Sequence, residues 1–293
     1  MGELHFLPCV DSSELASLRR TELNISRDMA LYQSRIVVNA IEAGYYTNAR
    51  GEDVDWKRQV VDACLAKRSI PPWQDLPSAP RSEFKATTVQ ISNETTVSAL
   101  LRLVDKGDRT LALNFANGVN PGGGFLGGAR AQEEAICRVS SLYWTLVGDA
   151  MYLYHSYREQ PDATAWAILS PQVPIFRADN VVTFDTPVLA DFITCAAPYA
   201  PTVGQPQSGD LLRERIHRVL QIASSKRYTK LVLGAWGCGA FANDPMRTAK
   251  DFREALEGPF SGVFSEVVFA ITDWSEERKF LRPFSEVFSK RQL

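Results

Sequence analysis

The chain has 293 residues, 45% of them hydrophobic and 23% charged, with a formal net charge of −2. A chain this long can bury a sizeable core without disulfide or metal staples. Its near-neutral charge argues against bulk electrostatic binding of nucleic acid or of an anionic membrane, so no direct nucleic-acid binding is expected.

The five cysteines, Cys9, Cys64, Cys137, Cys195 and Cys238, are widely spaced and odd in number, with no CxxC pair. Reduced thiols in a cytoplasmic protein fit this pattern better than a disulfide framework or a zinc site. The start MGELHFLPCV has no basic region ahead of a long apolar run, so a secretory leader is not expected. No stretch reaches the roughly 18 apolar residues that span a bilayer, and the Ser or Thr of a myristoylation signal is missing.

Residues 11–67 read as helical. Ser12 or Ser13 caps a helix carrying Leu15, Leu18 and Leu23; a second runs through Met29, Ile36, Val37 and Ile41 to Gly44; Asp53 or Asp55 opens a third through Val60, Val61 and Leu65. The proline-rich stretch 70–83 reads as a linker or an irregular wrap. From about residue 85 the pattern alternates. Strands are predicted at Thr87–Ile91, Thr110–Phe115, Val173–Phe176, Phe192–Ala196, Lys230–Gly234 and Glu266–Ile271. Helices are predicted near 95–105, 131–147, 210–225, 246–257 and 275–289. Continuous apolar runs such as LALNF and LVLGA suit strands covered on both faces, which points to a layered α/β fold.

The segment Thr110–Leu146 carries the chemistry. A strand ends at Phe115, and a loop holds Asn117, Asn120, Pro121 and Gly122–Gly124. Gly127 and Gly128 follow, and a helix opens near Gln132-Glu133-Glu134. Backbone in such a loop can approach a ligand closely, and the helix start attracts an anion such as a diphosphate. It is neither a GxGxxG fingerprint nor a P-loop, since no Lys follows. Adjacent acidic residues at a helix start can simply complement the dipole. They point about 100° apart, so they cannot form a dyad, and two separate jobs are expected of them. A second strand–glycine–helix turn follows Leu231–Gly234, with Gly237, Gly239, Trp236, Cys238 and Phe241 ahead of Pro245. Cys238 has no nearby His to activate it and reads as structural rather than nucleophilic.

GGG followed by seven residues and QEE resembles the signature of poly(ADP-ribose) glycohydrolases, carried on a macrodomain. NETT at 93–96, SPQVPIFR at 170–177, CAAPYA at 195–200 and LVLGAWGCGAFANDP at 231–245 resemble the bacterial branch. The resemblance implies a macrodomain-like three-layer α/β/α core with a mixed central sheet at residues 81–293. It also implies a helical N-terminal extension at residues 1–80 that packs on the core. Glu134 is then the general acid and base, and Glu133 holds the ribose hydroxyls. Asn117 positions the same ribose and Asn120 shapes the loop. Gly122, Gly123 and Gly124, with Gly237, Cys238, Gly239 and Ala240, bind the diphosphate. Phe241 packs on the terminal ribose, and Gln132 joins the substrate-binding residues. Thr272, with Asp273 beside it, is the candidate for the adenine end.

The implied reaction is hydrolysis of the ribose–ribose O-glycosidic bond through an oxocarbenium-like transition state, with no metal and no cofactor. The extension implies cleavage from chain ends, releasing ADP-ribose. A monomer is expected, with poly(ADP-ribose) and ADP-ribose as partners. A macrodomain that only reads ADP-ribose would share both glycine loops without needing the Glu pair. A hydrolase of single ADP-ribose marks is the other rival. A dehydrogenase would want GxGxxG early in the chain.

Overall fold

The computed structural model describes residues 2–77, 82–104 and 109–289. Residues 78–81 of the proline-rich stretch and residue 105 of the helix expected at 95–105 lie outside them. Strand β1 (Glu3–Phe6) is followed by α1 (Ser13–Leu23), which Ser12 caps by accepting the Leu15 N–H at 3.1 Å. Helix α2 (Arg27–Ala43) is capped by Ser26 and ends at Gly44. A small hairpin follows, β2 (Tyr45–Thr47) against β3 (Asp53–Asp55). The third helix therefore starts later than Asp53 or Asp55 would place it. It is α3 (Lys57–Ala66), and Asp55 accepts the Lys57 N–H ahead of it.

After β4 (Arg68–Ile70), residues 71–77 and 82–85 form neither helix nor strand. The core elements then alternate: β5 (Ala86–Ser92), α4 (Thr96–Val104), β6 (Thr110–Ala116), α5 (Gln132–Val139), α6 (Leu142–Leu146) and α7 (Ala150–Ser156). Next come β7 (Ala167–Arg177), β8 (Thr183–Ala196), the short α8 (Ala200–Val203) and α9 (Gln207–Ser225). The last are β9 (Lys230–Leu233), α10 (Pro245–Glu257), β10 (Glu266–Ala270) and α11 (Leu281–Val287).

Eight strands form one mixed sheet in the order β1-β5-β10-β9-β6-β8-β7-β4. The pairs from β1 to β8 are parallel, and β7 runs antiparallel to both β8 and β4. Successive strand residues face opposite sides, and here both sides are apolar. Leu111, Leu113, Leu231, Leu233, Val267 and Phe269 pack with α9, α10 and α11. Ala112, Val232 and Val268 pack with α2, α3, α4 and α5. This is the expected three-layer α/β/α arrangement.

The N-terminal 80 residues differ from a purely helical extension. Their strands β1 and β4 are the two edges of the central sheet, so a line drawn at residue 80 cuts through the sheet. The β7–β8 hairpin is also longer than the two short strands expected from sequence. Pro171 and Pro174 interrupt the strand pattern, but a bulge between Ser170 and Val173 accommodates the first. Pro174 lies beyond the β4 pairing and accepts the Ser141 N–H. No helix among the described residues is long and apolar enough to cross a membrane.

Candidate active site

The C-terminal ends of β6, β9 and β10 open into a cavity of about 530 Å³. At β6 the loop 117–131 turns back so that the first turn of α5 meets its own strand. Gln132 makes that join: its Oε1 accepts the Phe115 N–H at 2.9 Å, while its Nε2 donates to Leu113 O at 2.8 Å and to Thr96 Oγ1 at 3.0 Å. Its amide is committed to the backbone of β6, so Gln132 braces the site as well as lining it.

Glu133 and Glu134 are both buried, and they do face different partners. Glu133 Oε2 accepts the Asn117 N–H at 2.7 Å, and Oε1 accepts from Asn114 Nδ2 at 3.2 Å. Burial nevertheless pushes its carboxyl up to about 8, against those donors and with the Glu134 charge adding to the rise. Glu134 Oε1 accepts the Gly124 N–H at 2.8 Å, whereas its Oε2 is buried with no partner among the described residues. Both carboxylates line the cavity. An ionisable oxygen left unpartnered at a cavity wall is costly unless it has a task there.

The glycine loop closes tightly around this pair. Gly123 has φ +60°, and a Cβ there would stand 2.3 Å from Glu134 Oε1. Its N–H donates to Asn120 O, and Asn117 Oδ1 accepts from Val119 and Asn120 N–H. The N–H groups of Gly123 and Gly124 are thus spent on Asn120 and Glu134. Asn120, Gly122, Gly123 and Gly124 do not line the cavity, a difference from the diphosphate role expected of these glycines. In this structure the loop grips the carboxylates.

The second loop behaves closer to expectation. Gly237, Gly239, Ala240 and Phe241 line the cavity. The N–H groups of Gly239, Ala240 and Phe241 have no partner among the described residues. The space beside Gly239 is open, with nothing within 4 Å of where a Cβ would be. Such a row of free donors suits an anion. Phe241 is held by Tyr199, ring centroids 5.7 Å apart and planes 89° apart.

The model of the microbial-type PARG catalytic domain matches residues 34–178. The structure resembles the crystal structure of poly(ADP-ribose) glycohydrolase from Thermomonospora curvata, with a TM-score of 0.82 and 34% identity over 89% of this chain and 99% of that one. It also resembles the same enzyme bound to the inhibitor ADP-HPD, with a TM-score of 0.81. The Deinococcus radiodurans enzyme in complex with ADP-ribose shows 42% identity over 78% of this chain and 96% of that one, with a TM-score of 0.75.

The chain belongs to the microbial-type poly(ADP-ribose) glycohydrolases. No match is found among curated proteins.

In this glycohydrolase Asn117, Gln132, Glu133, Glu134, Phe241 and Thr272 all line the cavity. Cys238 does not. Its side chain is buried against Trp236 O and Thr248 Oγ1, its N–H is bonded to Ala235 O, and burial pushes the thiol up to about 12. It supports the loop from behind. Asp273 orders its own segment after β10: it accepts N–H bonds from Ser275, Phe280 and Leu281.

Sequence reading missed the rest of the wall. Thr95, Thr96 and Asp179 line the end of the cavity next to β5, and Trp274 and Phe280 lie near Thr272. Thr95 Oγ1 donates to Asp179 Oδ2 at 2.5 Å, across 84 residues of chain. No local spacing signals such a pair. His155 was also passed over. One of its ring nitrogens lies 3.0 Å from Gly118 O in the first loop, and the other takes the Thr164 N–H at 3.1 Å. Burial lowers this imidazole to about 4.

Proposed function

We propose that this chain hydrolyses poly(ADP-ribose) from its ends, releasing ADP-ribose, with Glu134 as the general acid and then the general base. The observation that carries this reading is the second oxygen of Glu134. It is buried and unpartnered, on a side chain that lines the cavity, while the first is fixed by Gly124 N–H. The relatives whose structures hold ADP-ribose or ADP-HPD lend it support.

In the reaction, the protonated Glu134 gives its proton to the oxygen that joins two riboses. The bond from the anomeric carbon to that oxygen breaks, and the electron pair leaves with the oxygen. The ring oxygen shares the positive charge that develops on the anomeric carbon. A water then attacks that carbon and returns a proton to the Glu134 carboxylate, which restores the starting state. Glu133 fixes the ribose hydroxyls, and Asn117 shapes the same wall. The free N–H groups at 239–241 hold the diphosphate in place, so charge stabilisation comes from donors already oriented.

End-selective cleavage is supported by how the N-terminal residues meet the first loop. Arg130 donates to Ile25 O at 2.6 Å, Arg27 Nε to Gly127 O at 2.9 Å and Ser34 to Phe125 O at 2.8 Å. Leu23 reaches the cavity itself. On this reading, a chain continuing past the terminal ribose would meet this junction. The free cysteines fit a reducing cytoplasm.

The test is ADP-ribose release from defined oligomers by the wild type and by Glu134→Ala. Release by the wild type, abolished in the variant while ADP-ribose binding persists, supports the reading. An inactive wild type that binds ADP-ribose would make the chain a reader instead. Cuts falling mainly inside the oligomers would remove the end selectivity.

A further inference from the structure

The cavity has a direction. Thr272 and Phe280 lie at its β10 end and Asn117 and Glu134 at its β6 end. A unit whose reacting ribose meets Glu134 therefore points its base toward β10. The leaving ribose departs from the other side, over the strands that follow β6 in the sheet: β8, β7 and β4. That ribose belongs to the next unit of the polymer and carries its own adenine.

The same edge of the sheet presents aromatic rings there. Ala167 pairs with Cys195 and Ile70 with Ala167, so the ends of β8, β7 and β4 nearest Trp73 and Trp166 lie level with the end of β6. At about 4.8 Å per strand these rings stand roughly 10–14 Å across from β6. Trp73 is 63% exposed, Tyr154 42% and Tyr157 80%. Trp73 packs edge-on against Tyr154 at 5.6 Å and against the buried Trp166 at 5.1 Å. Trp166 is fixed in turn by its Nε1–H bond to Ser69 at 2.8 Å, so Trp73 rests on an anchored neighbour.

Beside it lies a hollow of about 740 Å³ lined by Tyr154, Tyr157, Gln160 and Gln207 among others. Its Arg158 is engaged by Asp162 at 2.6 and 2.5 Å, and its remaining charged residue is the acidic Glu159, which leaves ring faces rather than a free cation as the means of recognition. The hollow is tied to both walls of the active site. His155 reaches Gly118 O in the first loop, and Pro161 O accepts the Tyr199 N–H next to Phe241.

We propose that the exposed rings of Trp73, Tyr154 and Tyr157 form a second nucleobase-stacking site. It receives the adenine of the polymer unit on the leaving side of the bond being cut. The inference rests on the glycohydrolase reading of the cavity. Stacking on an aromatic ring contributes about 1–3 kcal/mol per base, enough to help hold a polymer whose terminal unit alone fills the catalytic cavity.

The test compares wild type with Tyr157→Ala, Trp73→Ala and the conservative Trp73→Phe. The double alanine variant should raise KM for poly(ADP-ribose) about tenfold, with kcat changed less than about twofold. Trp73→Phe should recover most of the loss. Titrated ADP-ribose affinity should stay at the wild-type value, as should turnover of an ADP-ribose α-glycoside whose leaving group carries no base. An unchanged KM for the polymer overturns the site, and so does an equal loss on both substrates. A wild type that releases no ADP-ribose sinks the reading of the cavity and this inference together. An active wild type with indifferent variants sinks this inference alone.

Discussion

A methyl group at Gly123 would stand 2.3 Å from Oε1 of Glu134, because the loop folds its backbone directly onto the carboxylate. The φ of +60° at this position is also one that a side chain resists. Gly123→Ala should therefore push Glu134 off its position. We expect kcat on poly(ADP-ribose) to fall by at least about 100-fold, with a stability loss of about 1–3 kcal/mol from the left-handed backbone. Steady-state kinetics beside a urea melt check both. A variant with wild-type kcat would mean that the Gly123 contact does not set the carboxylate.

Gln132 closes the first turn of α5 onto β6. Replacing it with Leu leaves the Phe115 N–H and the Leu113 carbonyl without that partner. The expected cost is about 2 kcal/mol of stability, together with a lower kcat as Glu133 and Glu134 lose their register. Thermal unfolding should show the loss even without ligand, which a residue acting only on substrate would not produce.

Glu133 gives the site an alkaline limit. Its carboxyl is raised by burial to about 8 in the fold, against 4.5 ordinarily. Between those values the folded chain keeps a proton that the unfolded chain has released. Stability therefore falls as pH rises through this window, by on the order of 4 kcal/mol. Ionisation near pH 8 also changes the charge of the side chain that fixes the ribose hydroxyls, so kcat/KM should change through the same window. Glu133→Gln should flatten the stability profile between pH 5 and 9. A wild-type profile already flat across that range would contradict the assignment.

His155 sets an acid limit in the opposite sense. Buried under the first loop, its imidazole falls to about 4 from 6.5. The folded chain holds it neutral where the unfolded chain takes up a proton. Stability is therefore full above about 6.5 and drains as pH falls toward 4, by on the order of 3 kcal/mol. Denaturant melts at pH 7, 5.5 and 4.5 should show a steeper decline for wild type than for His155→Gln. Equal slopes would mean that His155 carries no such load.

Much of this was legible in the sequence, for identifiable reasons. The apolar runs of β6, β9 and β10 announce strands buried on both faces. The spacing of GGG and QEE places two carboxylates on the first turn of a helix that a strand feeds directly. What stayed hidden depends on long-range partners. Strand β1 is too short to stand out, and only its pairing with β5 defines it. Prolines 171 and 174 disguised the long β7 because the bulge that accommodates the first is a property of the hairpin. The role of the first glycine loop was read as ligand binding, since free N–H groups are the usual reason for glycines there. Here Glu134 takes the Gly124 N–H and Asn120 the Gly123 N–H, which local spacing cannot foretell. Thr95 with Asp179, and His155 with Gly118, meet only after folding.

The most direct measurement is the structure of this chain with ADP-ribose bound. The free oxygen of Glu134 should lie about 2.6–3.2 Å from the anomeric hydroxyl of the terminal ribose, with the diphosphate against the N–H groups of residues 239–241. A nucleotide sugar seated with its anomeric carbon facing away from Glu134, toward solvent or another carboxylate, would contradict the account.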